Sequence, residues 1–183
     1  MRSLCASIIS VALLAASVGV VAGQAEGAPS PRAPVPSLGC GVSDAEPGVF
    51  QLQTLVVGDD ERRWSAFVPQ AHDGMSPVPL WVQVHGKDGW SLPEVERIRP
   101  TAERFGFVVV SPEGNPANPA WLWQKEDREV DLTRANPDIA FVEALLDHLG
   151  RSLCLDLARV FAVGQSQGGY LVNGLACVLE DRL

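Results

Sequence analysis

Positive charge is scarce in this chain: 14 Lys and Arg stand against 22 Asp and Glu in 183 residues, giving a formal net charge of −8 and a pI near 4.8. So few cations cannot neutralise a polyanion, which excludes a phosphate-binding surface and, with it, nucleic acid as a partner. Histidine is limited to His72, His85 and His148. Beyond the first two dozen residues there is no apolar run long enough to span a bilayer, and there is no internal repeat. Cysteine is sparse, with four residues.

The one long apolar stretch sits at the N-terminus. Arg2 precedes an apolar core from about Ile8 to Ala22, and Val21-Ala22-Gly23 places small residues before Gln24. These are the parts of a secretory signal peptide over residues 1–23. Ser10, Ser17 and Gly19 break the run, which favours cleavage over a retained anchor and predicts a soluble, secreted product with no stable membrane span. Cleavage would remove Cys5 and leave Cys40, Cys154 and Cys177, an odd number in an oxidising compartment.

Residues 24–39 are rich in Pro and Ala, with Pro29, Pro31, Pro34 and Pro36 closely spaced, and read as a linker. The folded domain is expected over residues 40–183. Gln51 to Val57 and Arg63 to Pro69 are strand-like runs separated by Gly58-Asp59-Asp60, a turn signal that predicts a hairpin. Leu80 to Val84 and Phe107 to Val110 are short apolar runs of the kind a strand buried on both faces needs. Between them, Pro93 to Phe105 is helical in character with an interruption at Pro100, so strand, helix and strand form the crossover of a parallel sheet. Residues 115–137 read as a long loop carrying Trp121 and Trp123, whose indoles are candidates for an apolar substrate-binding wall, with anchoring of the loop as the alternative. A helix capped by Asp138 follows, with Ile139, Val142, Leu145, Leu146 and Leu149 on one face. Val160 to Val163 is the next buried strand, and the helix after it carries Leu171, Leu175, Val178 and Leu179.

Gly164-Gln165-Ser166-Gln167-Gly168 lies between that strand and that helix. It matches G-x-S-x-G, the sharp strand-to-helix turn that presents a nucleophilic serine at the carboxyl edge of a sheet. Small residues flank the serine because the turn is strained and its neighbours approach closely. Ser166 is therefore the candidate nucleophile. The oxyanion formed when it attacks needs donors aimed at it. One is the backbone N–H of Gln167. The other is expected from the loop after an earlier central strand, where Val84-His85-Gly86-Lys87 makes the Lys87 N–H the candidate. His85 precedes the nucleophile in the chain and is read as structural.

Around these motifs the chain resembles the family of polyhydroxybutyrate depolymerases and feruloyl esterases. The resemblance is carried by Ser37-Leu38-Gly39-Cys40-Gly41, Arg63 to Pro69, His85-Gly86, Asp138-Ile139-Ala140-Phe141, and Cys154-Leu155-Asp156 running into Arg159 through Gly169. Leu175-Ala176-Cys177 and Asp181-Arg182 continue it. It implies an α/β-hydrolase-type fold, a doubly wound and mostly parallel sheet that is C-terminally truncated here. It also implies no metal or organic cofactor, and an ester substrate in a polyester or aryl ester hydrolysed through a Ser166 acyl-enzyme. Lys87 stands where family members often have Cys, and Gln167 where they often have Asn.

The family's acid and histidine follow the nucleophile, yet no histidine follows Ser166 here. Glu180 and Asp181 read as surface charges on the elbow helix, His72 as a loop residue and His148 as a helix-end residue. The expectation is an esterase portion inactive by itself, with a secreted binding relative that keeps an apolar cleft without catalysis as the alternative. A strand rising to the elbow and a helix returning from it bring Cys154 and Cys177 towards one end of the sheet, so a disulfide is expected between them.

Overall fold

The computed structural model describes residues 32–42, 46–114, 121 and 131–183. Its strands are β1 (Gly48–Val57), β2 (Asp60–Val68), β3 (Val78–Val84), β4 (Val108–Pro112) and β5 (Leu155–Gly164). Helix α1 (Ser91–Phe105) follows β3, α2 (Pro137–Ser152) follows β4, and α3 (Gln167–Val178) follows β5. The five strands form one sheet in the order β1-β2-β4-β3-β5. β1 and β2 are the expected hairpin, turning at Gly58 with φ of 62°, and β2 lies antiparallel to β4. β4, β3 and β5 are mutually parallel, as the short apolar runs required.

Alternation along the strands sorts the core into two layers. Ala66, Val68, Leu80, Val82, Val84, Val108 and Val110 face α2 and α3, packing on Ile139, Leu145, Leu149, Leu171 and Leu175. Phe67 and Val109 face the other way, towards Val95 and Ala102 of α1. Helices thus cover both faces of the sheet, and all five apolar residues foreseen for α2 are buried.

Two helix details differ from the sequence expectation. α1 runs unbroken through Pro100. That residue is exposed, so the Glu96 carbonyl deprived of its N–H partner lies on the solvent side, where water satisfies it. α2 is capped by Asn136, not Asp138: the Asn136 side chain accepts from the N–H groups of Asp138 and Ile139, and Pro137 occupies the first helical position. Asp138 is buried and takes a different role, pairing with Arg62 of β2 at 2.9 Å. The Arg62 guanidinium also donates to the Glu113 and Pro137 carbonyls and lies 4.4 Å from the Phe141 ring centre.

The segment read as linker up to Gly39 is part of the fold from Ala33 onward. Leu157 N–H donates to Val35 O, Ser37 N–H to Leu155 O, and Gly39 N–H to Gly150 O. The Ser37 hydroxyl donates to Leu153 O and accepts from Leu155 N–H. Proline richness masked this pairing because Pro34 and Pro36 alternate with residues whose N–H groups are the ones used. The expected Cys154–Cys177 disulfide is corrected at the same place: Cys40 is joined to Cys154, and Cys177 is exposed on α3. The edge pairing of the N-terminal segment brings Cys40 to the α2–β5 junction, a long-range contact that spacing along the chain does not reveal. A bridge across 114 residues restrains the unfolded chain strongly, contributing on the order of 2–5 kcal/mol.

Candidate active site

The route of the chain through the sheet creates one crevice. From β3 the chain leaves to α1 on one face, while from the adjacent β5 it leaves to α3 on the other. Adjacent parallel strands whose connections diverge in this way open a gap at their carboxyl ends, where α/β sheets bind ligands. The loop carrying His85, Gly86 and Lys87 forms one side of that gap and the Ser166 turn forms the other.

Ser166 adopts φ of 51° and ψ of −119°, a conformation unfavourable for a residue with a side chain. Its surroundings impose it. A Cβ on Gly164 would collide with the Gly168 backbone, and one on Gly168 would collide with the carbonyls of Val84 and His85. Both elbow glycines are therefore demanded by backbone packed against backbone. Gln165 N–H donates to Val84 O at 3.2 Å, and Gly168 N–H to Gln165 O at 2.9 Å, closing the turn. Ser166 is exposed and its side chain makes no capping bond to α3, so the hydroxyl is presented to solvent. It stands at the N-terminal end of α3, where the helix dipole favours negative charge.

Gly86 faces the elbow closely: a Cβ there would lie 3.4 Å from Gln165 O and 3.6 Å from Ser166 Cβ. Lys87, next in the chain, is exposed at the mouth of the gap. Gln167 occupies the first position of α3, where a backbone N–H has no intrahelical acceptor. The fold thus brings the loop of Lys87 and the elbow of Ser166 and Gln167 to one edge.

His85 holds this loop in place. Gly114 N–H donates to its Nε2 at 3.0 Å, so Nε2 carries no proton, and Nδ1–H donates to Gly86 O at 2.6 Å. Burial pushes its pKa below the ordinary histidine value, partly offset by the Gly86 carbonyl and the Glu113 charge. With both ring nitrogens engaged and the ring fully buried, His85 is structural, as its place in the chain indicated. Gly89 must be small because a Cβ there would lie 2.8 Å from His85 Cβ. Trp121 completes the assembly: its indole lies against the His85 ring at 4.7 Å between centres, tilted by 32°, and its Nε1–H donates to His85 O at 2.8 Å. Its backbone N–H also reaches the Gln167 side chain at 3.4 Å. Trp121 is buried and anchors the loops, the alternative weighed against a substrate-binding wall, while Trp123 lies outside the described residues.

The sequence reading missed the layer beneath this loop. The Ser91 hydroxyl and N–H donate to Glu113 Oε1, and Ser91 Oγ lies 2.8 Å from Ser65 Oγ. A buried carboxylate thereby caps the N-terminus of α1, where the helix dipole favours it. The one local cue was Glu113, a carboxylate directly after β4 at the carboxyl edge of the sheet, and it does not reveal its partners Ser91 and Ser65. The other two histidines do not join the site. His72 is buried in the β2–β3 connection, and His148 packs edge-on against Trp64 under α2.

No family model matches the chain. Feruloyl esterase C of Emericella nidulans is 26% identical over 141 residues, covering 72% of this chain and 48% of that protein. A probable feruloyl esterase C of Aspergillus niger is 25% identical over 142 residues, again covering 72% and 48%. The chain spans about half the length of the curated relatives it matches. Among solved structures, an acetyl xylan esterase from Aspergillus awamori aligns with a TM-score of 0.60 at 19% identity, over 73% of this chain and 49% of that one. An S-formylglutathione hydrolase from Agrobacterium tumefaciens aligns with a TM-score of 0.53 at 20% identity, over 70% and 51%. The chain has the α/β-hydrolase fold in the part it spans, and it resembles the feruloyl esterases in sequence.

Proposed function

We propose that this chain carries the nucleophile of a secreted serine carboxylesterase acting on a polyester or aryl ester. The observation that carries the reading is the backbone of Ser166, held at positive φ by Gly164 and Gly168 with its hydroxyl exposed at the switch point of the sheet. Strain of this kind in a non-glycine residue at a ligand crevice has a mechanistic use. The signal-like residues 1–23 support export, with the mature chain beginning near Gln24.

In the proposed reaction Ser166 Oγ attacks the ester carbonyl carbon while its proton passes to a general base. The carbonyl oxygen becomes an oxyanion, stabilised by the N–H groups of Gln167 and Lys87. Collapse expels the alcohol and leaves an acyl-Ser166, which water hydrolyses to release the acid and restore the serine. The base must be an imidazole or its equivalent within hydrogen-bond reach of Oγ. His85 spends both ring nitrogens on Gly86 and Gly114, and His72 and His148 lie in other parts of the fold. We therefore infer that these 183 residues alone give no triad-dependent turnover.

The test is p-nitrophenyl butyrate hydrolysis by the 183-residue chain and by Ser166→Ala, with and without added imidazole. Both proteins should match the buffer rate without imidazole. With imidazole as an external base, the chain should exceed Ser166→Ala at the same imidazole concentration. Equal rates for the two under all conditions would overturn the nucleophile assignment. Robust Ser166-dependent turnover without imidazole would keep the nucleophile and overturn the missing base.

A further inference from the structure

A second concavity lies away from the elbow, between the β1–β2 hairpin and the last turn of α2. It holds about 190 Å³, is partly open to solvent, and is lined by Phe50, Trp64, Ala66, Val68, Leu149 and Leu153, with Gln53, His148 and Ser152 as its polar members. Its walls are not a chance gap between elements. In a regular strand Phe50 and Gln53 would point to opposite faces of the sheet, because side chains alternate. The register of β1 against β2 shifts between these two residues, and Leu52 takes φ of 45°. The irregularity turns both side chains towards α2, the kind of re-aiming that bulges perform. Ser65 of β2 holds it, accepting Leu52 N–H at 3.1 Å. Opposite Phe50 the register places Ala66, whose small side chain leaves room between Trp64 and Val68.

The polar members define what fits. Gln53 Nε2 already donates to Gln51 O at 2.9 Å, and the Ser152 hydroxyl already donates to His148 O at 3.0 Å. What Gln53 Oε1 and Ser152 Oγ retain is lone pairs, so these two groups call for a donor on the ligand. Cavities of about 150 Å³ with apolar walls accept a single benzene ring. We propose that this cavity is a binding site for a small neutral phenol or alcohol, its apolar ring or chain against Trp64, Ala66 and Leu149 and its hydroxyl donating towards Gln53 or Ser152. The buried Trp64 indole N–H has no hydrogen-bond partner, and a hydroxyl, which both donates and accepts, suits this mixed lining, whereas a carboxylate brings no donor for Gln53 or Ser152 and loses hydration among apolar walls. The site is independent of the Ser166 chemistry and does not rest on it.

The test is titration of the 15N-labelled 183-residue chain with p-cresol, read from the Trp64 indole N–H and the Ala66 and Leu149 amides. Saturable shifts at these positions, with the Trp121 indole unmoved, are expected. Toluene, which has the same ring and no hydroxyl, should bind about five- to tenfold more weakly, the worth of one neutral hydrogen bond. Ala66→Leu fills the cavity and should abolish the shifts while the rest of the spectrum stays dispersed. If that variant fails to fold, the double variant Gln53→Leu, Ser152→Ala serves instead and should equalise p-cresol and toluene. Absence of saturable shifts with p-cresol would overturn the site. Shifts that persist in folded Ala66→Leu would do the same, and equal affinity for p-cresol and toluene in the unaltered chain would overturn the hydroxyl assignment.

Discussion

On the flank formed by β2, β4 and α2, all five residues of β4 are buried and the Arg62–Asp138 pair is enclosed. On the flank formed by β5 and α3, Leu157 is 45% exposed, Phe161 52%, Val163 38% and Tyr170 61%. The less covered flank is the more apolar of the two in sequence, with Asp156 and Arg159 as the charged residues of β5 and none in α3. The difference lies in what each one meets: β4 is sandwiched between β2 and β3, whereas among the described residues β5 pairs with β3 and, over Leu155 to Leu157 only, with the N-terminal segment. The elbow belongs to the less covered flank, yet its local geometry is tightly constrained, because it is fixed by Gly164 and Gly168 against Val84 and His85 and not by side-chain packing. Site geometry and bulk stability therefore come from different parts of this fold.

The largest effect should follow from damage to the covered flank. Asp138→Ala strands the buried Arg62 guanidinium, whose charge then has no carboxylate partner at that position. Breaking one side of a buried pair is worth roughly 3–5 kcal/mol, a large part of the stability of a small domain. Urea unfolding followed by far-ultraviolet circular dichroism measures it. A loss below about 1 kcal/mol would mean that the covered flank does not carry the stability, and the contrast between the flanks would fail.

A smaller effect, centred on the loop of His85, Gly86 and Lys87, should appear with pH. His85 is held below its ordinary pKa chiefly by burial, and so is His72 in the β2–β3 connection, with Asp73 partly offsetting it. Both stay neutral in the folded chain at pH values where the unfolded chain, with a pKa near about 6.5, takes up protons. Their contribution is thus fully present above about pH 6.5 and is lost as pH falls from there through the lower folded values. Asp73, held at about 2 by the N–H groups of Ser76 and Met75, acts only further into the acid range. For His85 the structural event is explicit, because a protonated Nε2 can no longer accept Gly114 N–H. The Gly114 amide resonance should move as pH falls below about 6.5, with stability falling over the same interval. His85→Gln should flatten that part of the profile, and an unchanged profile in the variant would remove His85 from the account.

How much of this was legible in sequence follows the same division. The parallel core strands, the hairpin, the apolar face of α2 and the elbow were readable, because each is written in local periodicity or in a short motif with a mechanical reason. The β3 loop with its glycine was readable for the same cause. The cap of α2 was misplaced because Asn136 and Asp138 are both good caps, and only the demand of Arg62 for a carboxylate decides between them. The N-terminal pairing, the Cys40–Cys154 bridge and the Ser65–Ser91–Glu113 layer were not readable. All three join residues distant in the chain, and none leaves a periodic trace. The strand over Val160 to Val163 was foreseen as buried, and its place in the sheet is right. Phe161 and Val163 are nevertheless exposed, since an apolar pattern records what a strand is suited to meet and not whether that neighbour is present.

That exposure carries the smallest expected change in folding and a clear change in association. Phe161 sits opposite Trp81 in the β3–β5 register, and with Pro79, Leu80, Phe105 and Phe107 the two line an apolar hollow of about 280 Å³. Along β5 itself Arg159, which is ion-paired with Asp156, is the only basic residue, so the edge has little of the lysine or proline protection that discourages strand pairing between chains. Contiguous apolar surface at such an edge drives self-association. The 183-residue chain should therefore show concentration-dependent association in sedimentation velocity. Phe161→Lys places a charge in the middle of the patch, where association would have to desolvate it, and should shift the population to monomer. Because Phe161 is about half exposed, the substitution should alter unfolding stability by only about 0.5 kcal/mol. A chain that is monomeric before the substitution would show that the β5 flank is not adhesive. Association unchanged by Phe161→Lys would move the adhesive surface elsewhere, to Tyr170 and the outer face of α3.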